Sequence, residues 1–149
     1  MLQSPLTDVL VVDDTSTIRQ FLSVSLKRAG YSVRLACDGF DAQEKIREQV
    51  PNYVISDWRM PNMNGAELCQ WLRSQDLPRY VYFIMVTAHE DVFGLVNGLD
   101  SGADDYVKKP VIMNELLARL RCGQRILNLE RRLKTLAGEQ ATAFMEELT

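Results

Sequence analysis

Three aspartates, one threonine and one lysine are the residues of this sequence whose types and spacing could do chemistry. Asp13, Asp14 and Asp57 follow short apolar runs, Thr87 ends another run, and Lys109 comes shortly after a further one. Three clustered carboxylates repel one another, and one of them would tend to take up a proton. A divalent hard cation relieves that repulsion. Carboxylates with few other ligands suit Mg²⁺, which keeps several water molecules.

An acidic pocket that holds Mg²⁺ beside one lysine and one threonine is equipped to handle a phosphoryl group. The metal and the ammonium group neutralise phosphoryl oxygens, and the hydroxyl group donates a hydrogen bond. A carboxylate in such a pocket can attack phosphorus and form an aspartyl phosphate. The five residues therefore predict Mg²⁺-dependent phosphoryl chemistry. For Asp14 taken alone, the alternative is an ordinary helix N-cap.

Five short apolar runs could position these side chains. They cover residues 9–12, 31–36, 53–56, 80–86 and 106–107. Continuous runs rich in β-branched and aromatic residues predict strands that are buried on both faces of a parallel sheet. In an open parallel sheet, sites form outside the carboxyl ends of the strands. The polar residues lie at those ends, so the loops after neighbouring strands would bring them together.

Stretches with helical spacing follow the runs. The first has an apolar face and a glycine placed to end the helix: Ile18, Phe21, Leu22, Val24, Ser25, Leu26 and then Gly30. Similar faces occur around residues 42–50, 68–72 and 92–99. Strand followed by helix, five times over, predicts an α/β fold. Right-handed crossovers would place helices on both faces of the sheet.

The fifth predicted helix could run from Ile112 almost to the end of the chain. Its residues Ile126, Leu129, Leu133 and Leu136 are spaced three, four, three, which is typical of a coiled-coil seam. Two heptads are fewer than a coiled coil usually needs, so an amphipathic helix packed on its own domain is the alternative. We predict a domain at 1–122, a helical extension at 123–149 and a dimer through this extension.

Composition excludes several classes of protein. The 149 residues are 46% hydrophobic and 25% charged, and the net charge is −3, which predicts one globular domain without an electrostatic footprint for nucleic acid. No apolar run is long enough for a membrane span, and the first residues do not resemble a signal peptide. Three scattered cysteines and one histidine favour neither a disulfide framework nor a zinc site. We expect a reduced, cytoplasmic protein.

Four motifs in order carry a resemblance to a known family. They are VVDD at 11–14, DWRMPNMNG at 57–65, VTA at 86–88 and GADDYVKKP at 102–110. Together they resemble the receiver domain of two-component response regulators, over residues 8 to about 122. The resemblance implies a flavodoxin-like (CheY-like), doubly wound sheet of five parallel strands in the order 2-1-3-4-5.

The resemblance also implies roles for the polar residues. Asp57 would accept a phosphoryl group from the phosphohistidine of a histidine kinase or phosphotransfer protein. Asp14 and Asp57 would bind Mg²⁺ directly, and Asp13 would bind it through water. The backbone carbonyl of Arg59 would add a further ligand. Lys109, which immediately precedes a proline, would bind a phosphoryl oxygen.

A conformational switch is implied in the same way. Thr87 would turn toward the phosphoryl group and Tyr106 would rotate inward, which changes the face formed by the fourth helix, the fifth strand and the fifth helix. For Tyr106 the alternative is a half-buried strand aromatic. Arg59 and His89 each lie two positions after a site residue, and the resemblance suggests that they tune the lifetime of the phosphate.

The leading hypothesis is a signalling switch that catalyses only its own phosphorylation and dephosphorylation. The tail resembles helices that join receivers to diguanylate cyclase or metal-dependent phosphatase domains, so the chain is either a stand-alone regulator or part of a longer one. Two alternatives stay open. One is a phosphorylation-independent interaction module. The other is a Mg²⁺-dependent aspartyl-phosphate phosphohydrolase, although Arg59 stands where its second aspartate is needed.

Overall fold

A computed structural model describes residues 5–88 and 100–148. Within these residues the chain forms one five-stranded parallel sheet. The strands are β1 (Asp8–Val12), β2 (Ser32–Ala36), β3 (Tyr53–Asp57), β4 (Tyr82–Thr87) and β5 (Asp105–Lys108). Their order is β2-β1-β3-β4-β5, which confirms the predicted fold class and strand order. Every residue of β3 and β4 is buried, as their unbroken apolar sequences predict.

Four helices are described, and they cover both faces of the sheet. They are α1 (Ser16–Arg28), α2 (Gly39–Glu48), α3 (Gly65–Ser74) and α4 (Met113–Glu147), the last being the fifth predicted helix. Apolar residues of α1 and α4 pack on one face, and those of α2 and α3 pack on the other. No helix of the described residues is long and apolar enough to cross a membrane. The fourth predicted helix, 92–99, and His89 lie outside the described residues.

Helix α1 buries a narrower face than its sequence predicts. Leu22 and Leu26 are buried, but Phe21 and Val24 are 52% and 47% exposed. A helix resting on one layer of sheet can bury only the stripe that faces the strands, so residues at the edge of the apolar face remain in solvent. The predicted helix end is confirmed: α1 stops at Arg28, and Gly30 adopts a φ of 100° just beyond it.

Helix α4 packs on the sheet beyond residue 122. A Cβ atom built on Gly123 would lie 2.6 Å from Cδ1 of Tyr82, so the helix backbone runs directly against that ring. One turn later, Leu127 is only 3% exposed. The predicted seam lies on another side of the helix, where Leu129 and Leu133 are 53% and 64% exposed. The domain border at 122 and the dimer therefore stay predictions.

The start of β5 is held by the carboxylate of Asp104. This group accepts hydrogen bonds from Arg73 Nη2 and from the Phe83 N–H, both at 2.8 Å, and from the Tyr80 hydroxyl group. Arg73 also donates to the carbonyl of Gly102 at 3.0 Å. This network joins α3, β4 and the loop before β5. It therefore fixes the position at which β5 begins, and β5 leads to Lys109.

Candidate functional site

Three carboxylates meet at the carboxyl edge of the sheet. Strands β1 and β3 are adjacent and parallel, with Val12 opposite Ser56, so the residues that follow them come together. One carboxylate oxygen from each of Asp13, Asp14 and Asp57 lies within 4.8 Å of the others. Asp13 and Asp57 are 3% and 6% exposed, whereas Asp14 is open to solvent.

The backbone around Asp13 fixes the direction of its side chain. Its Oδ1 accepts the Thr15 N–H at 2.8 Å, and Arg19 Nη1 donates to its backbone carbonyl at 2.6 Å. Burial raises the pKa of the Asp13 carboxyl group, and the negative charges of Asp57 and Asp14 add to the effect. The Thr15 hydrogen bond and the charge of Lys109 act in the opposite direction. The sequence reasoning missed Arg19, whose contact is to a backbone atom.

The donor set fits a hard divalent cation. It consists of carboxylate oxygens, two of them nearly buried, and no histidine or cysteine joins it within the described residues. Such oxygen ligands suit Mg²⁺ better than a thiophilic metal. A cation between the three groups would also offset the charge repulsion that adds to the effect of burial on the pKa of Asp13. Asp13, Asp14 and Asp57 are the residues that would hold it.

Lys109 lies directly against the central carboxylate. Its Nζ is 3.0 Å from Oδ1 of Asp57, and the two side chains are 34% and 7% exposed. The backbone N–H of Lys109 donates to the carbonyl of Thr87 at 2.8 Å, which ties the loop after β5 to the end of β4. The Lys109–Pro110 peptide bond is cis. The structure thus places an ammonium group against the carboxylate of Asp57.

The other predicted residues lie around this centre in different environments. Thr87 is buried at the end of β4, and its hydroxyl group is 3.5 Å from the carbonyl of Ala88. Tyr106 is partly buried on β5 and packs against the core on the α2 and α3 side of the sheet. That position suits both the switch role and the half-buried alternative. Arg59 is exposed two residues after Asp57, and the role of His89 stays a prediction.

Gly65 is a supporting residue whose importance only the structure reveals. A Cβ atom at this position would lie 2.5 Å from the backbone carbonyl of Asp57 and 2.5 Å from Sδ of Met85. The Gly65 N–H also donates to the carbonyl of Trp58 at 2.8 Å. Gly65 is the first residue of α3, and its close approach to Asp57 depends on a tertiary contact that has no local signal in the sequence.

An apolar cavity of about 360 Å³ opens beside Asp57 and Lys109. Its walls come from α1, the central strands and the segment that follows β5, and they include Ile18, Phe21, Leu22, Ile55, Pro110 and Val111. The sequence reasoning did not find it, because none of these side chains carries a reactive group. Its polar end consists of Asp13, Asp57 and Lys109.

A comparison with protein-family models decides the family. The model described as the response regulator receiver domain matches residues 9–121. The chain belongs to this family. The receiver therefore has a role in two-component signalling, in which response regulators work with histidine kinases and output domains. Receiver domains typically bind Mg²⁺ at an acidic pocket, and the three aspartates form such a pocket here.

Curated relatives agree with this assignment. The receiver is 44% identical over 124 residues to response regulator MprA of Mycobacterium ulcerans, covering 82% of this chain and 52% of the relative. It is 45% identical over 115 residues to MprA of Mycobacterium avium, covering 76% of this chain and 49% of that protein. The chain thus spans about half the length of these curated relatives.

Solved structures also resemble the receiver. Chemotaxis response regulator CheY4 of Vibrio cholerae has a TM-score of 0.74 and 33% identity, and the similarity covers 80% of this chain and 99% of CheY4. NtrX of Brucella abortus has a TM-score of 0.81 and 25% identity, covering 89% of this chain and 30% of NtrX. The predicted CheY-like fold is confirmed by these similarities.

Proposed function

We propose that this receiver is a phosphorylation-dependent switch that accepts a phosphoryl group on Asp57 from a histidine kinase or phosphotransfer protein. The observation that carries the proposal is the 3.0 Å contact between Lys109 Nζ and Asp57 Oδ1 at the edge of a three-carboxylate cluster. One small region thereby holds a nucleophile, candidate cation ligands and a cationic side chain. That combination suits phosphoryl transfer, which depends mainly on positioning and charge stabilisation.

In the proposed transfer, a carboxylate oxygen of Asp57 attacks the phosphorus atom of a phosphohistidine. An O–P bond forms and the N–P bond breaks, and the imidazole leaves with the electron pair and takes up a proton. Lys109 binds a phosphoryl oxygen, and Thr87 donates a hydrogen bond to another. Bound Mg²⁺ supplies positive charge next to the phosphoryl oxygens. Its proposed ligands are Asp13 through water, Asp14, Asp57 and the carbonyl of Arg59.

The proposed output is a shift between two packings of the domain. A new dianion at Asp57 favours the packing in which Thr87 and Tyr106 turn toward the site. The surface of β5 and α4 changes in consequence, together with that of the fourth predicted helix. Because α4 continues without a break from the core to Glu147, it can pass the change to an output domain of the diguanylate cyclase or phosphatase type, or to a separate partner.

Intact mass after incubation with Mg²⁺ and acetyl phosphate tests the acceptor. We expect the wild type to gain one phosphoryl group and Asp57→Asn to gain none. Asp76→Asn is the matched control, because Asp76 is an exposed aspartate in the loop after α3 and should leave the gain intact. Failure of the folded wild type to gain mass with any phosphodonor would contradict the proposal and favour an interaction module.

A further inference from the structure

The cavity beside Asp57 has one polar end and otherwise apolar walls. The polar end holds the carboxylates of Asp13 and Asp57 and the ammonium group of Lys109. All of its remaining lining residues are aliphatic, aromatic or proline. Phe21, from α1, is 52% exposed and contributes to the wall. The cavity therefore suits a molecule with a charged head and an apolar body.

The size of the cavity limits the kind of molecule. About 360 Å³ lies near the lower end of the range for small-molecule pockets. A phosphoryl group that reacts with Asp57 must lie at the polar end, next to Lys109. The group that carries the phosphoryl therefore has an apolar space directly beside it. A polar body would find no hydrogen-bond partner among the apolar side chains of the wall.

We propose that this cavity makes the receiver selective among small acyl phosphates, favouring donors whose acyl group is an apolar chain. The proposal rests on the proposed phosphorylation of Asp57 and adds a preference for the donor. In the step, a carboxylate oxygen of Asp57 forms a bond to phosphorus. The bond between phosphorus and the acyl oxygen breaks, and the donor leaves as a carboxylate that keeps the electron pair.

Burial of the acyl chain in the cavity should increase the rate of phosphorylation by a measurable factor. Burying one methylene group is worth about 0.8 kcal/mol, which corresponds to a factor of about four in rate when the group is fully buried in the transition state. The cavity is partly open, so the added methylene groups would be only partly buried. We therefore expect the rate to rise about tenfold over the first few methylene groups, which is less than a factor of about four for each of them would give. Phe21 is exposed and Ile18 is half-buried, so these two wall residues can be shortened without removing a fully buried side chain.

The test compares acetyl, butyryl and hexanoyl phosphate as donors to the full chain with Mg²⁺. Their leaving carboxylates have similar basicity, so their intrinsic reactivities are close. Initial rates come from intact mass. We expect the hexanoyl-to-acetyl rate ratio to be about ten in the wild type and to fall at least threefold in Phe21→Ala and in Ile18→Ala. Val24→Ala, on the same helix but outside the cavity, should keep the wild-type ratio.

Each outcome separates this proposal from the one on which it rests. Phosphorylation of Asp57 at equal rates by all three donors, or more slowly by the longer ones, would overturn the selectivity and leave the acceptor role standing. An unchanged ratio in both Phe21→Ala and Ile18→Ala, with folding verified by circular dichroism, would also overturn it. Failure of all three acyl phosphates to modify Asp57 would overturn the selectivity, whereas the acceptor role would be refuted only if a phosphorylated histidine kinase or phosphotransfer protein also failed to modify Asp57.

Discussion

At the scale of single residues, the geometry of the site depends on two close contacts to Asp57, one from Lys109 and one from Gly65. The Nζ of Lys109 lies 3.0 Å from Oδ1 of Asp57, and the Lys109 N–H donates a hydrogen bond to the Thr87 carbonyl. Gly65 brings α3 against the backbone of Asp57 itself. A side chain at Gly65 would push on Asp57, the proposed phosphoacceptor, so we expect a change at this position to affect both the stability of the domain and the site.

Replacement of Gly65 by alanine is expected to destabilise the domain by about 1–3 kcal/mol, because the new Cβ overpacks a buried contact. The added atom would lie 2.5 Å from the Asp57 carbonyl and from Met85 Sδ. Gly138→Ala is the control: its Cβ would meet nothing within 4 Å, and in an exposed helix it should stabilise by about 0.5–1 kcal/mol. Urea unfolding measures both, and equal effects would refute the packing argument.

At the scale of elements, α4 has two apolar sides, one buried against the sheet and one exposed. Leu116, Leu120 and Leu127 are buried against the sheet, and Gly123 allows the close approach to Tyr82. The seam residues point elsewhere and are exposed in the single chain. The same helix can therefore pack on its own domain and offer a second apolar stripe. Both interpretations raised by the sequence are compatible, since they concern different residues of one helix.

Leu127→Ala should lower the free energy of unfolding by about 2–4 kcal/mol, because it opens a cavity in the core. Leu129→Ala, two residues away and 53% exposed, should change it by less than about 0.5 kcal/mol. Urea denaturation at low protein concentration gives the comparison. Equal destabilisation of the two variants would contradict the described packing of α4 on the sheet beyond Gly123.

At the scale of the whole molecule, the unpaired stripe on α4 is the feature that a second copy could cover. Ile126, Leu129, Leu133 and Leu136 are all exposed, and they repeat with heptad spacing. Apolar side chains in such a row favour burial by association. The dimer would place two receivers at one end of a paired helix, from which an output domain could be controlled.

The full chain is therefore expected to sediment as a dimer, and Leu133→Lys combined with Leu136→Lys as a monomer. Both residues are exposed, so the charges should leave the domain folded. Charged residues at neighbouring seam positions disfavour pairing because they would be buried or would repel each other. A wild type that sediments as a monomer at every concentration tested would rule out this dimer.

Much of the fold follows from local patterns in the chain. Short β-branched runs at regular intervals predict five parallel strands, because a strand covered on both faces needs apolar residues at every position. Motifs around Asp13, Asp57, Thr87 and Lys109 support the family and the strand order. The same patterns indicate that these residues lie at one edge of the sheet, while their individual roles stay predictions.

Other features depend on contacts between distant parts of the chain. Leu127 and Leu129 are both leucines of one helix, yet one is buried and the other exposed, because the sheet meets only one side. Phe21 appeared to belong to the apolar face of α1 but lines a cavity. Asp104 anchors β5 through Arg73 and Tyr80. The periodicity of apolar residues predicts whether a segment forms a helix or a strand. Which side of that helix is buried depends on the surface it packs against, and that surface exists only once the chain has folded.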